Sequence, residues 1–186
     1  TPKKIALLTD SSADLRWDQA RENNIFFVPL RILCQDGEYL DGVDIRGQDI
    51  YRRLQSGELP QTSLPRVEDF SAKLHEIFDL GYDGVIAVML SSGLSGTYNL
   101  ARIVAEECRE QGRAMVAFDS LSGSLGLGMT VLQLAEDIRN GMGWEELTER
   151  RVPQLIQNTY PFFTLDTLEY LQKGGRIGKV TALAGT

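Results

Sequence analysis

Histidine is nearly missing from this chain: His75 is the single one among 186 residues. Cysteine is scarce as well, with Cys34 and Cys108 far apart and no CxxC pair. So few imidazoles and thiols leave no ligand set for zinc or haem, and no metal site or metal cofactor is assigned, although counting leaves an Asp/Glu site for magnesium open. Two widely spaced thiols read as reduced side chains. Positive charge is also short. Lys and Arg number 19 against 26 Asp and Glu, a net charge of −7, which argues against a nucleic-acid surface, since that needs clustered cations facing phosphates. No apolar run is long enough to cross a bilayer. The first residues reach Asp10 before the apolar core of a signal peptide could form, so a cytoplasmic location is expected.

Several catalytic signatures are missing too. The phosphate-loop string GxxxxGK[ST] occurs nowhere, and Gly123, Gly126 and Gly128 stand in the wrong order for GxGxxG. The string Gly93-Leu94-Ser95-Gly96-Thr97 misses GxSxG by one position. A Ser–His–Asp triad would need a base, and His75 falls inside a helical pattern beside its apolar face.

What is present is a repeated plan. Residues 4–8, 85–90 and 114–118 are short apolar runs, and each ends in polar turn residues: Thr9-Asp10-Ser11-Ser12, Ser91-Ser92-Gly93 and Asp119-Ser120. Such runs predict strands buried on both faces, as in parallel sheets. Helical patterns follow, with Ala101, Val104, Ala105 and Cys108 after the second run and Leu125, Leu132, Ala135 and Ile138 after the third. The alternation predicts an α/β fold with a parallel sheet flanked by helices. Residues 25–33 predict a further strand, with an edge or bulge at Pro29. Residues 36–44 carry the turn chemistry of a loop or hairpin. Helices are expected over 47–56 and 67–80, and over 144–158, where Pro153 should end or kink the helix. Residues 160–165 are a strand candidate. The organisation expected is an N-terminal α/β domain over 1–158 and the incomplete start of a second α/β domain over 159–186.

Ligands of open parallel sheets collect beyond the carboxyl ends of the strands. Three such ends carry hydroxyls here. Ser95-Gly96-Thr97 opens a helix, whose unpaired N–H groups and partial positive charge suit an anion; Ser95 is then either an N-cap or part of an anion site. Thr62-Ser63 precedes another helix and reads first as a turn with a cap. Asp10 is expected to pin its loop by accepting backbone N–H bonds. Lys173-Gly174-Gly175-Arg176 reads as a helix end with surface charge, or as a loop aiming Arg176 into a cleft.

Taken in series, five strings resemble the DegV family: Thr9-Asp10-Ser11-Ser12-Ala13-Asp14-Leu15, Thr62-Ser63-Leu64-Pro65, the stretch from Ser91 to Asn99, Asp119-Ser120, and the stretch from Leu171 to Ile177. The resemblance implies a cytosolic bacterial protein that binds a long-chain fatty acid, with a second domain closing over the acyl chain. It implies presentation of the carboxylate to a fatty acid kinase subunit, which phosphorylates it with ATP to feed phospholipid synthesis. The carrier itself would not be an enzyme and would hold no cofactor beyond its fatty acid; transient membrane contact is compatible with that role. By the same resemblance Thr62, Ser95, Gly96 and Thr97 would hold the carboxylate, with Ser63, Ser92, Ser11 and Arg176 in support. Leu64 departs from the small or amide residue usual there. Two other classes use the same strand ends: an enzyme acting on an anionic metabolite, and a regulatory domain binding a small anion.

Overall fold

The computed structural model describes residues 1–159. Four strands form a parallel sheet: β1 (Ile5–Asp10), β2 (Ile25–Val28), β6 (Gly84–Met89) and β7 (Ala114–Asp119), in the order β2-β1-β6-β7. Strands β1 and β6 are buried at every residue, which explains the apolar runs at 5–8 and 85–89; the buried polar end of β1 is Thr9 and Asp10. Side chains alternate between the two faces. Ile5 and Leu7 join Leu127, Val131 and Leu134 of α5 (Ser124–Arg139), while Ala6 and Leu8 join the opposite layer. That layer is α3 (Val67–Asp79), through Phe70, Leu74 and Ile77, and α4 (Thr97–Glu110), through Ala101, Val104 and Ala105. Fully buried side chains such as Phe70 and Leu127 each contribute about 2 kcal/mol of burial energy. The short helix α1 (Trp17–Glu22) completes the α5 layer through Ala20.

Residues 25–33 do not form one strand. The chain leaves the parallel sheet at Pro29, which lacks an N–H to continue the ladder. It then starts a second, antiparallel sheet of β3 (Arg31–Cys34), β4 (Gly37–Leu40) and β5 (Gln61–Ser63), ordered β4-β3-β5. Strands β3 and β4 form a hairpin with Cys34 opposite Gly37; it starts earlier than the loop or hairpin expected over 36–44, of which only β4 is strand. Helix α2 (Gly47–Gln55) connects β4 to β5 and buries none of its residues. The structure corrects the turn expected at Thr62-Ser63: both lie in β5, opposite Ile32 and Arg31 of β3.

Pro153 does not end its helix. Helix α6 (Trp144–Glu146) passes through a π turn (Leu147–Arg151) into α7 (Val152–Asn158), and the Val152 N–H donates to the Leu147 carbonyl, one residue wider than an α-helical bond. The wide turn leaves room for the pyrrolidine ring and puts Pro153 in the first turn of α7, where its missing N–H costs nothing. The strand expected over 160–165, Arg176, and all but the first residue of the expected second domain lie outside the described residues. Among the described residues, no helix is long and apolar enough to cross a membrane.

Candidate functional site

Strands β1, β6 and β7 are parallel, so the segments following all three emerge on one edge of the sheet. Two carboxylates lace these segments together. Asp10, at the end of β1, accepts the Leu90 N–H at 2.9 Å and the Ser12 N–H at 2.9 Å, and also binds the Ser12 hydroxyl. Asp119, at the end of β7, accepts the Ser92 N–H at 3.1 Å and the Leu121 N–H at 3.0 Å. Asp10 thus pins its loop as the sequence led one to expect. Asp119 does the same work, and its signal was available: β1 and β7 both end in Asp, and a serine follows each. Burial pushes the Asp10 carboxyl above the ordinary carboxylate range, opposed by its bonds from Leu90 and Ser12.

Between these anchors the β6–α4 segment folds into a tight turn. The Ser91 carbonyl accepts N–H groups from Leu94 at 2.9 Å and Ser95 at 3.1 Å, and the Ser91 hydroxyl accepts that of Gly93 at 3.2 Å. Helix α4 begins at Thr97, with Gly96 as its N-cap. Ser95 therefore stands one residue before the cap, yet its hydroxyl does capping work by accepting the Thr97 N–H at 3.2 Å. The Ser95 and Thr97 hydroxyls lie 2.7 Å apart. Thr97 is fully buried while Gly96 is exposed and Ser95 half-buried. Thr97 is accordingly the residue that orients Ser95, and the outward polar surface of the turn is made by Ser95 and Gly96.

The second wall is the end of β5. Thr62 is exposed at its middle, and the chain then continues through Ser63 and Leu64 to buried Pro65. A Cβ added at Gly96 would lie 3.1 Å from Leu64 Cδ2 and 3.5 Å from Cδ1, so the Leu64 isobutyl group rests directly on Gly96. This contact brings the Thr62-Ser63 strand and the Ser95-Gly96-Thr97 turn together across some 30 residues of sequence. Among the expected supporting residues, Ser92 is exposed beside the turn and tied through its N–H to Asp119. Ser63 receives a bond from Arg31 Nη2 at 3.1 Å. Ser11 serves another place: its hydroxyl accepts the Leu30 N–H at 2.9 Å and donates to Asp41, holding the corner at Pro29. Burial pushes the Asp41 carboxyl up, and nearby Asp10 adds to the rise. Arg31, Asp41 and Leu64 were not singled out as site residues from sequence, because their roles depend on contacts between distant segments.

Cys34, Asp36 and Glu58 bring potential ligand atoms within 4.8 Å of one another. Their charge is already engaged. Arg53 pairs with Asp36 at 2.7 Å and with Glu58 at 3.4 Å, and Glu58 accepts the Gln35 N–H at 2.7 Å. Burial also raises the Cys34 thiol pKa, favouring the neutral form over the thiolate that metals bind.

The fold is a parallel α/β domain whose β6–α4 turn sets Ser95 and Gly96 at the start of a helix, at the carboxyl end of the sheet. The model of the DegV family, described as a family of uncharacterised proteins, matches residues 4–186, and the chain belongs to that family. It is 40% identical over 183 residues to a DegV domain-containing protein of Clostridium perfringens, covering 98% of this chain and 64% of that one. A fatty-acid-binding DegV family protein of Thermus thermophilus superposes with a TM-score of 0.81 at 33% identity, covering 98% of this chain and 64% of that one. DegV of Bacillus subtilis, a fatty acid binding protein, gives a TM-score of 0.85 at 29% identity, covering 99% and 64%. The chain thus spans just under two thirds of the length of these relatives.

Proposed function

We propose that this protein binds a long-chain fatty acid, with its carboxylate held between the Ser95-Gly96 turn and Thr62. The observation that carries the reading is the seating of Leu64 on Gly96, which joins the two polar segments at the start of α4. A helix N-terminus and two hydroxyls suit a carboxylate. Neutral donors also avoid the desolvation cost of burying a full ion pair. Fatty acid binding by the relatives from Thermus thermophilus and Bacillus subtilis supports the same ligand class. In this reading Thr97 orients Ser95, Ser63 and Ser92 shape the two walls, Ser11 steadies the corner that carries β3, and Arg176 adds charge at the mouth.

The protein is a carrier and not an enzyme in this proposal. It presents the carboxylate to a separate acyl kinase, a carboxylate oxygen attacks the terminal phosphorus of ATP, ADP leaves, and the acyl phosphate feeds phospholipid synthesis. A second domain, to which residues 159–186 belong, covers the acyl chain. The test is mass spectrometry of an organic extract from the purified full-length protein. A stoichiometric fatty acid is expected, and it should be lost from a Ser95→Ala/Thr62→Ala double variant. Absence of lipid from the parent protein overturns the reading.

A further inference from the structure

Arg31 lies on β3 opposite Ser63 of β5, and its guanidinium reaches past the register to hold the strand where it ends. Nε donates to the Leu64 carbonyl at 2.6 Å, and Nη2 to the Ser63 hydroxyl at 3.1 Å. The third nitrogen, Nη1, meets Glu38 of β4 at 3.0 Å. Glu38 in turn binds Arg66 at 3.1 Å, on the far side of Pro65. The Arg31 side chain is only 27% exposed. One planar fork thus ties all three strands of the small sheet to the segment that carries Leu64 onto Gly96.

We propose that Arg31 is a positioning residue for ligand headgroup selection: by fixing the Leu64 backbone and Ser63, it sets the gap between Thr62 and the Ser95-Gly96 turn. The inference rests on the fatty-acid reading above. Arg31 touches no ligand in this scheme. Two bonds from a rigid guanidinium define both the position and the angle of the strand end, which a lysine ammonium on a flexible stem cannot do. The Leu64 side chain transmits that position to Gly96, since Leu64 Cδ2 stands 3.1 Å from the place a Cβ would occupy, closer than ordinary van der Waals contact. A gap held open to a single width admits a carboxylate bonded from both walls. If the gap wanders, one wall is lost, and the two-oxygen headgroup forfeits its advantage over a single hydroxyl.

The experiment measures the affinity of the full-length protein for a long-chain fatty acid and for the primary alcohol of the same chain length, in the parent, Arg31→Gln and Arg31→Lys. Both variants are expected to bind the acid about tenfold more weakly, one lost charge-assisted hydrogen bond's worth, while alcohol affinity changes less than about twofold. Leu64→Ala should lower the acid-to-alcohol ratio in the same direction with Arg31 intact. An equal fall for acid and alcohol, or a ratio fully restored by lysine, overturns the assignment by showing a general structural role or a simple charge effect. If the parent shows no preference for the acid, the fatty-acid reading fails, and the assignment of Arg31 falls with it. A preference kept unchanged in Arg31→Gln removes the Arg31 assignment alone.

Discussion

Asp10 shows how one side chain can anchor a site while working against the fold that holds it. Its carboxyl is buried and tied to Leu90 and Ser12, and burial raises its pKa. In the unfolded chain it ionises near the ordinary value of about 4. Between that value and the raised one, the folded chain keeps a proton that the unfolded chain has lost. Asp10 therefore lowers stability as pH rises through this window. The carboxyls of Asp36, Glu38 and Asp83 are shifted down by their partners and act in the opposite sense, losing stability as pH falls. Comparing urea midpoints of Asp10→Asn and the parent isolates the first effect: the difference should move in the variant's favour as pH rises through the window. A constant difference would show that Asp10 titrates alike in both states. Ser95 allows a second separation. Ser95→Ala removes the acceptor of the Thr97 N–H and should cost about 1 kcal/mol in a thermal melt. Ser95→Asp restores that acceptor but sets a negative charge where a carboxylate would bind, so it should melt near the parent and carry no fatty acid. The sequence revealed the hydroxyls at 62 and 95. It did not reveal that Thr97 faces inward, because burial at the first turn of a helix depends on what packs above it.

Among elements, the buried strands were the most legible, since an apolar run of β-branched and aliphatic residues between turn signals has few other uses. The start of α4 was readable within a residue or two. Strand β5 was not. Gln61, Thr62 and Ser63 carry no apolar pattern, and they are extended because β3 offers them a ladder. The π turn before Pro153 was hidden for a related reason. A proline forbids a regular α-helix, but whether the chain stops, kinks or widens is decided by the packing of Leu147 and Val152 against the α5 layer. The closeness of that layer to the sheet edge is testable at Gly128. A Cβ there would fall 2.6 Å from the Asp14 backbone carbonyl, which no rotamer change can relieve. Gly128→Ala should therefore destabilise by about 3 kcal/mol in urea denaturation. A loss below about 1 kcal/mol would mean that the loop after β1 yields freely.

For the molecule as a whole, the two sheets differ in how firmly they are held. The parallel sheet has helices on both faces, whereas β4 and α2 bury nothing fully. Amide hydrogen exchange should follow that division. Amides of β1 and β6 are expected to exchange only with global unfolding, and those of β4 and α2 about a hundredfold sooner or faster still. Uniform protection across both sheets would contradict it. The strand–helix alternation foretold the α/β class because it reflects the period of burial along the chain. The partition into two sheets was not legible, since a single proline can mark a bulge as readily as a change of sheet.

The chain leaves the parallel sheet at Pro29 and returns to it through Pro65 and α3, so everything that presents Thr62 and Leu64 lies in one excursion between two prolines. Such an excursion is a cassette. Its strand pairing is its own, and its ties to the rest of the fold include Ser11 at Leu30 and Asp41, Leu64 on Gly96, and the Glu38–Arg66 pair. In the proposed site, the Thr62 wall then belongs to this excursion, while the Ser95 wall is built into the end of the parallel sheet. Grafting residues 30–66 from one relative onto the parallel core of another would carry the Thr62 wall together with the Arg31–Glu38–Arg66 linkage that holds it.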